Sequence, residues 1–544
     1  MRSYDIIVLG SGGAGLVAAL AAVDQGLSVG VFEKSHLIGG TTAISGGGIW
    51  IPNNHVMAAS GFADDEGDAK IYLDRLTLGE TSSELLLAFL KNGPEMLRFI
   101  EGRSDLRFFS VDRPDYHPGW AGAKTGRSVE PLPFEPSMDP LLFQKLRYST
   151  LRQPVTSTEA KKGISVDIVT DRQGRNVRTQ GAGLVAGLAQ ACAQAGVDFH
   201  VSMPATDLSF EGRRCVGIET AKGAISASIG VILATGGFEW NQDMVAAFLP
   251  GFTSAATTPP GNDGDGLRFG LEAGAAVANM TEAWWTAAYH IPGEQLDGMP
   301  LTRNIVRDLA LPGSILVNSK GERFVNEATS YNDLGMAFNI FDPGSFSYLN
   351  RPAWLIFDHA FKTRYTVASV PPTEAAPNWM HSEPSLAELA DKLSISAQGL
   401  RNTVARFNED ALEGRDRAFQ RGEDAHGLYY GDPTVVPNAC LGPINEGPFY
   451  AVEILPGNNG TKGGLRTTAH GQVMRCDGTV IAGLYACGNV ATSIFGKGYP
   501  GHGGTLGPIL AASYATGVNL RSSGEGDPDS GRSRPCRRPE GAHE

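Results

Sequence analysis

Residues 4–9, Tyr-Asp-Ile-Ile-Val-Leu, are apolar apart from Asp5. So short a run, closed at once by glycines, predicts a strand buried on both faces, as in a parallel sheet. Gly10-Ser11-Gly12-Gly13-Ala14-Gly15 follows directly. Residues 16–25 then carry an alanine-rich helical pattern, which Gly26 ends as a C-cap. A second apolar run over 28–32 predicts another strand, closed by Glu33. Two later segments repeat strand-then-glycine: 230–237 (Gly-Val-Ile-Leu-Ala-Thr-Gly-Gly) and 483–489 (Gly-Leu-Tyr-Ala-Cys-Gly-Asn). Between them, from roughly 281 to 457, the character is mixed. After a glycine-rich loop, Thr505-Leu506-Gly507-Pro508 opens a last helix. The pattern predicts an α/β protein whose Rossmann-like domain is discontinuous, with an α+β domain inserted into it. The expected divisions are 1–285 and 459–520 for the two parts of the first domain, 286–458 for the insertion, and 521–544 for a disordered tail.

The spacing of Gly10, Gly12 and Gly15 is GxGxxG, and its context gives it weight. Strand, glycines, helix, strand and acid all fall within about 30 residues. Gly10 permits the tight turn, Gly12 lets backbone reach a pyrophosphate, and Gly15 allows helix and strand to pack closely. The helix N-terminus then offers free N–H groups and a positive dipole end to phosphate. Glu33, 18 residues beyond Gly15, suits a ribose hydroxyl. An NAD domain ordinarily continues with another helix and strand. Here Gly39-Gly40-Thr41-Thr42 and Ser45-Gly46-Gly47-Gly48 follow instead. A second glycine-dense stretch predicts backbone laid along a longer cofactor, FAD. The cofactor set is Gly10, Ser11, Gly12, Gly13, Ala14, Gly15, Glu33, Lys34, Gly40, Thr41, Thr42, Ser45, Gly46 and Gly47. Ala205, Ala234, Thr235, Gly236, Gly488, Asn489, Thr505 and Leu506 complete it. The last helix, starting at Thr505, is expected to face the flavin pyrimidine ring, which is negative when reduced.

Charge narrows the partners. With 45 basic and 58 acidic side chains the net charge is −13, which argues against nucleic acid. The one strongly basic stretch, residues 532–538, sits in the Gly/Ser/Pro/Arg-rich tail and is expected to be solvated. Six scattered cysteines form no CxxC pair, so no metal site is expected and reduced thiols in a cytoplasmic protein are. No secretory signal is visible and no apolar run reaches the ~18 residues of a membrane span. An apolar substrate would still favour peripheral membrane contact.

Several further motifs are recognisable: Gly-Gly-Thr-Thr-Ala-Ile-Ser-Gly-Gly-Gly-Ile-Trp (39–50), Pro114-Asp115-Tyr116, Gly126-Arg127-Ser128, and Gly-Glu-Arg-Phe-Val-Asn-Glu (321–327) with Tyr331. Gly-Thr-Lys-Gly-Gly-Leu (460–465) and Tyr499-Pro500-Gly501-His502-Gly503 follow. Together they resemble the 3-ketosteroid Δ1-dehydrogenase family, within the fumarate-reductase-like FAD flavoproteins, from about residue 5 to 517. The Tyr-Pro-Gly-x-Gly loop is the motif most particular to the steroid branch. The resemblance implies removal of two hydrogens from adjacent ring carbons beside a ketone. Tyr499 and Gly503 then resemble the hydroxyl and backbone N–H that hold the ketone oxygen. Tyr331 resembles the base that takes the α proton, Tyr116 the residue that supports it, and FAD N5 the hydride acceptor. His502 stands where the family more often has proline, and a one-residue shift would put His117 in place of Tyr116. No histidine lies in 39–48, so FAD is expected to be non-covalent. The sequence leaves the electron acceptor open between a quinone and an artificial dye, and the family likeness implies that oxygen is a poor one.

The chemistry has its own logic. A C–H beside a ketone is a weak acid, and two donors aimed at the oxygen stabilise the enolate as it forms. A tyrosine, with a reference pKa near 10, needs a neighbouring donor before it serves as a base. Two other substrates fit the same flavin domain. A smaller cyclic ketone such as 4-oxocyclohexanecarboxylate uses the same ketone site, with Lys497 or Arg303 available for its carboxylate. A fumarate or enoate reductase needs arginine clamps. The resemblance implies one just before the Leu-Gly of the C-terminal loop, where this chain has Thr505. A flavin-binding redox sensor without turnover would bind FAD but show no substrate-dependent bleaching; the three tyrosines and the Tyr-Pro-Gly-x-Gly loop speak against it.

Overall fold

The computed structural model describes residues 3–148, 153–251 and 255–521. The expected disordered tail, with its basic stretch, lies outside the described residues but for Arg521. The opening strand is Ser3–Leu9, buried almost throughout. It pairs in parallel with Val29–Phe32 on one side and Ile225–Leu233 on the other. Asp198–His200 extends the first flank and Val480–Ala486 the second, again in parallel. Strands from three distant parts of the chain thus share one sheet. Ala205–Glu211 and Arg214–Thr220 lead into Ile225–Leu233 as an antiparallel meander.

The first helix is Gly13–Asp24, starting three residues before the expected position. The reason is geometric: Gly13 to Gly15 adopt helical backbone themselves, so the glycine turn forms the first turn of the helix. The helix packs between Gln180–Gln194 and Leu506–Val518. Because Val29–Phe32 and Ile225–Leu233 leave the opening strand on opposite sides, a crevice opens at its carboxyl end, where open α/β sheets bind ligands.

A second, seven-stranded sheet runs Met299–Asn304, Ala283–Leu296, Phe449–Thr461, Ala353–Phe357, Ser314–Asn318, all antiparallel. Two short strands, Ala255–Ala256 and His381–Glu383, also pair with Phe449–Thr461. Leu386–Leu393 and Ala397–Glu413 cover one face through Leu389, Leu400, Val404 and Phe407. Helix Tyr331–Ala337 packs against Ala283–Leu296. A Cβ on its Gly335 would lie 2.5 Å from the Thr286 backbone nitrogen, so glycine sets how closely the two approach.

Candidate active site

A cavity of about 1180 Å³ lies between the sheets. Every residue of the expected cofactor set lines it except Gly15. Gly15 lies behind the wall, where a Cβ would sit 2.0 Å from the Gly10 carbonyl oxygen. Gly10 itself has φ of +101°, and its Cβ would meet the Ala234 oxygen at 2.4 Å. No larger residue fits either position without moving the first strand from its neighbour or the helix from the strand.

Two helices begin at this cavity, Gly13–Asp24 and Leu506–Val518, and neither N-cap residue, Gly12 or Thr505, caps its helix through a side chain. Their free N–H groups and positive dipole ends suit a pyrophosphate and an electron-rich ring respectively. The Thr235 hydroxyl, on the same wall, is buried and has no hydrogen-bond partner among the described residues, an open contact for a polar ligand. Ser11 faces inward instead: its N–H and hydroxyl donate to Glu33 Oε2 at 3.0 and 2.7 Å. The Ser35 N–H donates to Glu33 Oε1 at 2.8 Å. Glu33 is thus oriented by the loop: Oε2 is filled by two donors, and Oε1, with one, keeps acceptor capacity. Thr42 Oγ1 accepts from Gly13 N–H at 3.0 Å, and Thr41 Oγ1 from Asn262 at 3.0 Å. Lys34 is held by Asp263 and Asp265. These residues fit FAD. Gly15→Ala is expected to strip it: the fraction of chains carrying flavin, read from the absorbance ratio after gel filtration, should fall severalfold. Full flavin occupancy would contradict the packing role.

At the other end of the cavity three tyrosines meet. The Tyr331 and Tyr499 rings lie 5.1 Å apart, Tyr116 and Tyr331 5.6 Å, Tyr116 and Tyr499 5.5 Å. Tyr331 and Tyr499 line the cavity; Tyr116, 3% exposed, lies one layer behind. The neighbouring His117 turns away, stacking on Trp120 at 3.9 Å with Asp333 at 3.5 Å. Of these two adjacent residues, the structure brings only Tyr116 into the tyrosine cluster.

Each tyrosine comes from a different segment, and specific contacts join them. Tyr331 is the first residue of its helix, which Ser330 caps through the Asp333 N–H at 3.2 Å. Buried Lys462 donates to Asn332 Oδ1 at 3.2 Å and to the carbonyls of Lys497 and Gly498 at 3.0 and 2.9 Å. One ammonium therefore ties the helix of Tyr331 to the loop of Tyr499. The Tyr116 N–H donates to the Pro500 carbonyl at 3.0 Å, drawing in the third segment. Tyr499 shares a 2.9 Å hydrogen bond with Thr505.

Gly503 has φ of +90°, and its Cβ would lie 2.3 Å from the Gly48 carbonyl carbon. Its carbonyl accepts from Trp50 N–H at 3.1 Å, while its own N–H has no acceptor among the described residues. His502 packs over Gly48, where a Cβ would come within 2.4 Å of its Nε2. Burial pushes the Tyr331 phenol well above its ordinary value, and the other two tyrosines push the same way. Burial also raises Tyr116 and Tyr499, opposed at Tyr116 by Arg113 and at Tyr499 by the Thr505 hydrogen bond.

The FAD binding domain family matches residues 5–506. A 3-oxosteroid 1-dehydrogenase of Mycolicibacterium smegmatis is 37% identical, over 96% of this chain and 98% of its own length. The crystal structure of the 3-ketosteroid Δ1-dehydrogenase of Sterolibacterium denitrificans, in complex with 1,4-androstadiene-3,17-dione, matches with a TM-score of 0.90. It is 34% identical, and the match covers 96% of this chain and 100% of that chain. The chain belongs to the 3-ketosteroid Δ1-dehydrogenase family. Members of this family are FAD-dependent oxidoreductases, and so is this protein. A 4-oxocyclohexanecarboxylate 2-dehydrogenase of Sinomonas cyclohexanicum is also similar, 38% identical over 97% of this chain and 94% of its own length.

Neither cation offered for a carboxylate is free to bind one. Arg303 lines the cavity but is paired with Glu294 through two hydrogen bonds, at 2.5 and 2.8 Å. Lys497 is exposed, and only its carbonyl reaches the site. The family resemblance pointed to Tyr116 but not to Arg113, three residues earlier, nor to Tyr430 and His426 beside it. An isolated arginine and a tyrosine more than 300 residues away give no shared pattern in sequence. No helix among the described residues is long and apolar enough to cross a membrane. No cluster of metal-binding side chains is found among them either.

Proposed function

We propose that the protein desaturates a 3-ketosteroid between carbons 1 and 2, with residues 286–458 as the inserted catalytic domain. The observation that carries this reading is the meeting of three tyrosines at a cavity that Gly503 also lines, its N–H without an acceptor among the described residues. Tyr499 and Gly503 hold the ketone oxygen and stabilise the enolate as an oxyanion hole does. Tyr331 takes the α proton, and Tyr116 hydrogen-bonds behind it. Bound, non-covalent FAD supplies the acceptor for the hydride leaving the adjacent carbon. Its cradle is the glycine loop with Glu33, the 40–47 segment, Ala205, Thr235 and the start of the last helix. Aromatic walls exclude water and strengthen both interactions.

The test is anaerobic mixing of the yellow protein with androst-4-ene-3,17-dione. Bleaching of the flavin and formation of the 1,4-diene are expected. The 38% identity to the Sinomonas enzyme favours a second reading, the same chemistry on a cyclic keto acid. A flavin that bleaches with 4-oxocyclohexanecarboxylate but not with the steroid selects it.

The base sets the pH dependence. Burial raises Tyr331, so at neutral pH its reactive ionised form is a small fraction, growing tenfold per pH unit. The kcat/KM is therefore expected to climb from pH 6 toward pH 9, with a logarithmic slope near one. A flat or falling profile over that range contradicts a tyrosine base.

A further inference from the structure

Arg113 brings a positive charge into the interior and meets no carboxylate there. It is 6% exposed. Other buried guanidiniums in this protein are paired: Arg127 with Asp64 and Asp115, Arg323 with Glu327 and Asp416. The partners of Arg113 are phenols. Its Nη2 donates to the Tyr116 hydroxyl at 3.3 Å and to the Tyr430 hydroxyl. The guanidinium lies 4.8 Å from the Tyr430 ring centre and 5.2 Å from those of Tyr116 and Tyr429. Its Nε has no hydrogen-bond partner among the described residues. Phenol hydroxyls and ring faces compensate a buried cation in part; a full negative charge arising beside it compensates it further.

Resting on the dehydrogenase reading, with Tyr331 as base, we propose that Arg113 is the counterion of a phenolate shared by Tyr116 and Tyr331. It is a positioning residue, acting through Tyr116. Before each turnover the tyrosine pair gives one proton to solvent. The α-carbon proton then passes to the phenolate, and the C–H electron pair moves into the enolate facing Tyr499 and Gly503. Arg113 exchanges no proton.

Other groups around the pair do not replace it. His426, on the helix of Tyr430, has its ring 4.7 Å from Tyr116, but burial, with Arg113 adding to it, holds it neutral, down to about 3. Exposed Lys161 lies over the far ring, Tyr429, at 3.3 Å. Asp112 and Glu130 act on Tyr429, while Asp333 and Asp424 act on His117. Tyr499 shares its proton with Thr505.

Two measurements on holoenzyme test this. Ultraviolet difference spectra record tyrosinate formation against pH in the wild type, Arg113→Met, Arg113→Gln and Arg113→Lys, with Tyr331→Phe to identify the signal. A wild-type phenol is expected to ionise at least about one pH unit lower than in the Met and Gln variants, with Lys restoring most of the difference. In parallel, the rising limb of kcat/KM should move up by the same amount. That is about tenfold slower turnover at neutral pH, recovered in alkali, with KM for a neutral ketone unchanged. Identical tyrosinate titrations in all four proteins overturn the proposal. So does a raised KM confined to a keto acid with an unmoved pH profile, which makes Arg113 a carboxylate anchor. A shifted titration without turnover of any ketone leaves the ion pair standing and removes the dehydrogenase reading instead.

Discussion

Tyr331→Phe is expected to bind FAD normally and to lose nearly all turnover. The substitution removes one oxygen from a ring held in place by Tyr116, Tyr499 and a capped helix. The ring keeps its contacts, so fold and flavin spectrum should not change. What goes is a hydroxyl placed on the cavity wall and against both Tyr116 and Tyr499. Loss of a positioned general base costs about 10²- to 10⁴-fold. Stopped-flow reduction of the flavin by the ketone, under anaerobic conditions, reads that step directly. A rate within a few-fold of wild type would remove Tyr331 from the chemistry and leave its helix a purely structural element.

Tyr499→Phe tests the opposite pole of the reaction. In the proposed reaction this hydroxyl donates to the ketone, and in the structure it shares a 2.9 Å hydrogen bond with Thr505. Deleting a donor of this kind costs about 2.7–4 kcal/mol of barrier, or 10²–10³ in rate. The two variants should differ in pH behaviour. Tyr499→Phe keeps the rising profile at a lower level, because the base is intact. Tyr331→Phe flattens it, because the titrating group is gone. If both variants show the wild-type slope, the assignment of acid and base to these two tyrosines fails.

The nucleotide half of the molecule was legible because its constraints are local. A strand buried on both faces must be a short apolar run, and a phosphate loop must be glycine where Cβ atoms would strike backbone. Gly10 and Gly15 meet both demands within six residues. The tyrosines were legible only through resemblance, since Tyr116, Tyr331 and Tyr499 share no spacing and converge through tertiary contacts. Adjacent Tyr116 and His117 could not be separated by pattern. The turn held by the Tyr116–Pro500 hydrogen bond decides which ring faces inward. Ser11, expected as a cofactor contact and placed on the cavity wall, also braces Glu33, a role its position in the motif did not signal. Lys462, inside a glycine-rich motif, gave no sign that its three donors join two remote segments.

The strand pair Ala283–Leu296 and Met299–Asn304 supplies Tyr289, Leu296, Met299, Leu301 and Arg303 to the cavity wall. None of the three tyrosines or Gly503 belongs to it. The segments that carry them are tied to one another through Lys462 and Pro500, whereas this hairpin lines the cavity from its own sheet. Under the proposed function, selectivity and reactivity sit on separable pieces of chain. Such a division lets a lineage exchange one ketone for another by altering a single hairpin, without dismantling the machinery that breaks the C–H bonds.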